Sequence, residues 1–68
     1  MVTTWKPARK VGYCDKVVGT DGRARRPAYL YESFDFYGEC KFVYVVTVVK
    51  DERVGVTYGP AEMVEVKA

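Results

Sequence analysis

The segment Cys40–Lys50, CKFVYVVTVVK, constrains the fold of this chain more than any other part. On an extended backbone Phe42, Tyr44, Val46 and Val48 fall on one side, and Val43, Val45, Thr47 and Val49 on the other. Both sides are apolar, the pattern of a central strand covered on both faces, as in a closed barrel or at a subunit contact. The run is far shorter than the roughly twenty apolar residues a helix needs to cross a bilayer. Elsewhere Val, Tyr, Phe and Thr dominate, and no stretch of eleven residues carries apolar positions at the three- and four-residue spacing of a helix. The sequence therefore predicts an all-β protein.

Sixty-eight residues can build one core and not a second. Ten of them are aromatic (six Tyr, three Phe, one Trp), and such side chains bury the most area each. Small domains also gain stability by associating, so a homo-oligomer is a live expectation. Residues 1–10, MVTTWKPARK, read as a polar N-terminal arm and residues 11–68 as the barrel. The arm lacks the apolar run of a secretory signal, which points to a cytoplasmic protein with no membrane segment. In that compartment Cys14 and Cys40 read as reduced, buried thiols rather than a disulfide.

The first strand is expected within Val11–Gly19, reversed at Thr20-Asp21-Gly22-Arg23 by a type I′ turn centred on Asp-Gly. Arg23–Arg26 returns briefly along it until Pro27, which cannot donate to a ladder. In Ala28–Tyr37 alternation puts Leu30, Phe34 and Phe36 inward, and Tyr29, Tyr31 and Tyr37 outward. Gly38-Glu39 turns the chain into the central strand. Lys50–Arg53 reads as a four-residue link on a type I turn, Val54–Tyr58 as the next strand and Val64–Lys67 as the last. Between these two, Pro60-Ala61-Glu62-Met63 suits a short 3₁₀ turn.

Five short antiparallel strands, with VGVTYGPAEMVEV supplying a strand, a one-turn helix and a closing strand, resemble the SH3-like small barrels. The resemblance implies a five-stranded antiparallel barrel with a 3₁₀ turn before the last strand. That fold hosts peptide-binding SH3 domains, Tudor and KOW modules and small plasmid-encoded reductases, so it does not select a function. Tyr29-Leu30-Tyr31-Glu32 is similar to the ALYDY segment of SH3 domains but follows the first hairpin instead of opening the chain. The Val-Gln-Ile-Tyr strand of the small reductases is replaced by Val54-Gly55-Val56-Thr57-Tyr58, without the glutamine.

The chain contains no histidine, which removes the commonest general base and the commonest metal ligand. The two cysteines lack the two-residue spacing of zinc or redox motifs, and the six glycines are scattered rather than gathered into a phosphate loop. No catalytic residue, metal site or cofactor is expected. Charge is polarised: residues 1–27 carry seven bases against two acids, and the remainder four bases against seven acids. Arg23, Arg25 and Arg26 beside outward Tyr29, Tyr31 and Tyr37 have the ingredients of single-strand nucleic-acid binding, phosphate neutralisers next to stacking rings. Tyr, Trp and Arg are equally the residues of protein-binding hot spots. Trp5 either staples the arm to the barrel or protrudes as an anchor. The expected function is a non-enzymatic module for protein–protein recognition, an adaptor or inhibitor able to self-associate. A nucleic-acid-binding barrel is the second reading, and a subunit of an oligomeric enzyme with a shared site the third.

Overall fold

Seven strands and one 3₁₀ turn make up the fold in the computed structural model, which describes all 68 residues. They are β1 (Thr3–Pro7), the 3₁₀ turn Ala8–Lys10, β2 (Val17–Val18), β3 (Ala24–Arg25), β4 (Tyr29–Phe34), β5 (Cys40–Val49), β6 (Glu52–Tyr58) and β7 (Met63–Lys67). Two antiparallel sheets result, one ordered β1-β7-β2-β3 and the other β4-β5-β6. The all-β expectation holds. The two sheets are not closed into the five-stranded barrel that was expected, because β2 and β3 are two residues each and no ladder joins them to β4 or β6.

Valine builds the core. Val11, Val17, Val43, Val45, Val64 and Val66 pack with Ala8 between the sheets, and Leu30, Cys40 and Tyr58 lean on them. Val43 and Val45 of β5 project from one sheet, Val64 and Val66 of β7 from the other, as period-2 alternation requires. β-Branched side chains suit this role, since their restricted rotamers lose little on packing against a pleated surface. β5 is central in its sheet as its sequence predicts, but only one face is closed. On the other, Val46 is buried while Tyr44 and Val48 remain exposed.

Several local expectations are corrected. The N-terminal arm is largely strand: β1 pairs along its length with β7, Trp5 opposite Glu65, and the 3₁₀ turn follows it instead of preceding the last strand. Ala8 is wholly buried and its N–H donates to the carbonyl of Glu62 at 2.9 Å, so this turn plugs the end of the core. Segment 59–62 is a simple reverse turn, closed by Glu62 N–H on the Gly59 carbonyl at 3.1 Å. Only Val17–Val18 of the anticipated Val11–Gly19 strand pairs, since the chain bends at residues 13–15. Cys14 is exposed and Cys40 half-buried, both unpaired, so neither is the buried thiol expected.

Turn chemistry inverts the expected assignment. At the β2–β3 reversal only Gly22 has positive φ, +80°, and Gly22 N–H reaches the Gly19 carbonyl, so the loop is a type I turn with a glycine bulge. The β5–β6 reversal, expected as a four-residue link, is the two-residue type: Val49 pairs with Glu52, and Lys50 and Asp51 take φ of 50° and 65°. Both positions of a type I′ turn need positive φ, and each non-glycine residue there carries a steric cost. Lys50→Asn with Asp51→Gly is therefore expected to raise stability by about 1 kcal/mol and Tm by roughly 4–8 °C, read by thermal circular dichroism.

Candidate recognition surface

The β4–β5 hairpin carries the most exposed rings of the molecule. Its loop is built by Asp35, whose Oδ1 accepts the Tyr37 N–H at 2.8 Å and the Glu39 N–H at 2.9 Å. Asp35 N–H donates to the Glu39 carbonyl, Gly38 N–H returns to the Asp35 carbonyl, and Gly38 holds φ of +83°. Asp at the first position and Gly at the fourth are what a type I turn closed by a glycine bulge wants. The two residues between them, Phe36 and Tyr37, are lifted into solvent, 97% and 88% exposed. Their rings meet edge to face with centroids 5.8 Å apart, each being the other's aromatic contact. Phe34, at the strand end, is also exposed.

Phe34 and Phe36 are thus outside, not inside as alternation implies. The ladder shifts register between Ser33 and Phe34, where Phe34 pairs with Cys40 after Ser33 has paired with Phe42. A bulge breaks the two-residue period, and Phe36 falls in the turn itself. The loop itself carries two carboxylates, Asp35 and Glu39, and its flanks carry one charge of each sign, Glu32 opposite Val43 on β4–β5 and exposed Lys41 at the bulge.

A second aromatic surface is the outer face of β4-β5-β6. Register places Tyr29 opposite Val46, Tyr31 opposite Tyr44 and Ser33 opposite Phe42, with Thr57, Gly55 and Arg53 continuing the same face on β6. Tyr31 and Phe42 pack at 6.5 Å between centroids. The Tyr44 ring lies across Gly55, where any side chain would collide with it. Arg53 is the only charged residue among these paired positions.

The residues anticipated from sequence separate onto different parts of the molecule. Tyr29 and Tyr31 share the outer face with Tyr44, Phe42 and Arg53, three residues the sequence reading did not single out. Tyr37 is at the hairpin tip beside Phe36. Trp5 is 58% exposed on β1, paired with Glu65 of β7 in the β1-β7-β2-β3 sheet, so it is not a buried staple. Arg25 is engaged: its guanidinium grips Asp21 through two hydrogen bonds of 3.0 and 2.6 Å, and the Arg23 N–H adds a third to the same carboxylate. The Arg25 pair holds the Asp21 carboxyl well below the usual carboxylate range and raises the guanidinium in turn. Arg23 and Arg26 are exposed.

Asp15 has a structural role. Its carboxylate accepts the Gly12 N–H at 2.7 Å and the Lys6 ammonium at 2.9 Å, tying the bend after the 3₁₀ turn to β1. The Gly12 bond first, then Lys6, lowers its pKa below the ordinary 3.8. A depressed carboxyl makes the unfolded chain bind more protons, so its contribution is full above about pH 4 and vanishes as pH falls through the folded value. Asp15→Asn is expected to shallow this acid limb relative to wild type, measured as urea midpoints from about pH 2 to pH 6.

Between the sheets, where β6 faces the β2–β3 hairpin, an apolar cleft of about 250 Å³ stays open, lined by Val17, Val45, Val49, Val54, Val56 and Tyr58. Burial pushes the Tyr58 hydroxyl above its ordinary value, and Glu62 adds to the shift. No group of three or more His, Cys, Asp or Glu side chains converges in a way that could hold a metal ion. No helix is long and apolar enough to cross a membrane. Comparison with protein families, curated proteins and solved structures finds no match for this chain.

Proposed function

We propose that this chain is a non-enzymatic binding module that recognises a protein partner through the Phe34–Glu39 hairpin tip, acting as an adaptor or inhibitor. The observation that carries the reading is the edge-to-face Phe36–Tyr37 pair, nearly fully exposed on a loop fixed by Asp35 and Gly38. Large rings held in place before contact lose little entropy on binding, which is the property of an interface hot spot. The two loop carboxylates, Asp35 and Glu39, favour a partner whose apolar pocket carries basic side chains at its rim. They also repel a phosphate backbone, which supports protein over nucleic acid at this place.

A second reading attaches to the outer face of β4-β5-β6. Tyr29, Tyr31, Phe42 and Tyr44 with Arg53, and no carboxylate on that outer face, are the parts of a stacking platform for single-stranded nucleic acid. One experiment separates the two. Affinity capture from the native host, with and without nuclease, is run with wild type and with a Phe36→Ser/Tyr37→Ser variant. Retention of a protein that resists nuclease and is lost with the variant supports tip recognition. Capture that needs nucleic acid, or that the variant retains, overturns it.

A further inference from the structure

We infer that two copies of this chain pair edge to edge through β6, antiparallel about Gly55, into one six-stranded sheet. Exposed edge strands invite pairing, and proteins blunt them with proline, bulges, brevity or a covering group. Three of the four edges here are blunted. β1 ends in Pro7, which has no donor, and β3 is two residues long and leads into Pro27. β4 carries the bulge at Ser33/Phe34, and its Leu30 N–H already donates to the Tyr13 hydroxyl at 3.0 Å. β6 has none of these: seven residues, no proline, no bulge, no side-chain hydrogen bond, and all but Tyr58 exposed.

Its sequence is self-complementary. With the twofold axis at Gly55, all seven residues pair: Val54 meets Val56 of the second copy, Arg53 meets Thr57 and Glu52 meets Tyr58, with no like charges opposed. Moving the axis to Arg53 would set Arg53 against itself. Val54 and Val56 are on the core side of β6, opposite Thr47 and Val45, yet they are 43% and 44% exposed because the cleft beside them is empty of side chains. A neighbouring strand covers them, which is the occupant that two half-wet valines on a core face call for. The pairing does not depend on the hairpin-tip reading, and its test uses no partner.

Sedimentation equilibrium and light scattering over about 10 µM to 1 mM read the association directly. Wild type is expected to dimerise in this range. Thr57→Arg, which opposes Arg53 of the second copy twice per dimer, is expected to weaken dimerisation at least fivefold, about the size of two cross-strand charge pairs. Thr57→Glu strengthens it, and Arg53→Glu with Thr57→Arg restores it. Thr57 faces the uncharged Tyr44 within its own sheet, so equal circular dichroism and Tm across the set, read at a concentration below the association range, are the control for folding. A wild type that stays monomeric at about 1 mM overturns the inference, as does a set in which Thr57→Arg and Thr57→Glu associate alike.

Discussion

Truncating both rings at the hairpin tip, Phe36→Ala with Tyr37→Ala, is expected to weaken partner binding at least about a hundredfold while Tm moves by no more than roughly 4 °C. The asymmetry follows from where these rings spend their contacts. Inside the protein they touch chiefly one another, so their loss removes almost no buried area and a folded-state change within about 0.5 kcal/mol is expected. At an interface each counts as an anchor, and truncating an anchor costs about 2 kcal/mol or more. Titration calorimetry with the captured partner measures the first quantity and a thermal melt the second. Asp35→Ala sharpens the test, since it leaves both rings but removes the acceptor of two loop N–H groups. It is expected to weaken binding through loss of loop order, with an intermediate effect.

Val43→Ala should be the most damaging conservative change in the molecule, lowering stability by about 2–3 kcal/mol and Tm by roughly 10–20 °C. Val43 is 2% exposed, the largest side chain so fully enclosed, and it stands on the central strand with paired neighbours on both sides, Glu32 and Tyr58. Two methylene equivalents are worth about 1.6 kcal/mol of transfer, and a cavity adds to this. Only nine of 68 residues are buried, so the remaining core offers little with which to refill the space. Val48→Ala, two-fifths exposed on the outer face of the same strand, is the control and is expected to cost under about 1 kcal/mol. Equal losses at the two positions would refute the one-sided core.

What sequence alone reveals follows the strength of local signals. Cys40–Val49 is legible as the central strand because a run this short, rich in Val, Phe, Tyr and Thr and apolar on both faces, is the composition of a covered strand. Its open outer face is not, since whether a second layer covers a strand is decided elsewhere in the chain. β1 was hidden because TTWKP has a single large apolar residue and its partner, β7, is at the opposite end of the sequence. The turn at Lys50-Asp51 was unreadable in a different way: tertiary pairing forces positive φ on two residues that do not favour it. By contrast the tip was readable in principle, as Asp35 and Gly38 stand three apart like Gly19 and Gly22, both framing a type I turn with a terminal glycine. In that frame Phe36 is a turn residue on the surface, not an inward position of a strand. The pairing of Asp21 with Arg25, four residues apart across a tight reversal, was available from spacing and would have removed Arg25 from the free cations.

The order in which the chain assembles is written into the unequal spans of its ladders. β4, β5 and β6 follow one another through tight reversals, so each pairing closes a loop of a few residues. β1 and β7 come from opposite ends: Thr3 donates its hydroxyl to Glu65 across 62 positions. Closing so long a loop before any contact forms is less favourable by on the order of 2–3 kcal/mol than closing a hairpin, so the meander is expected to condense first and the terminal ladder to close last. The last ladder to form is then the first to open, and amides of Thr3–Lys6 should exchange with deuterium ahead of those in Val43–Val46.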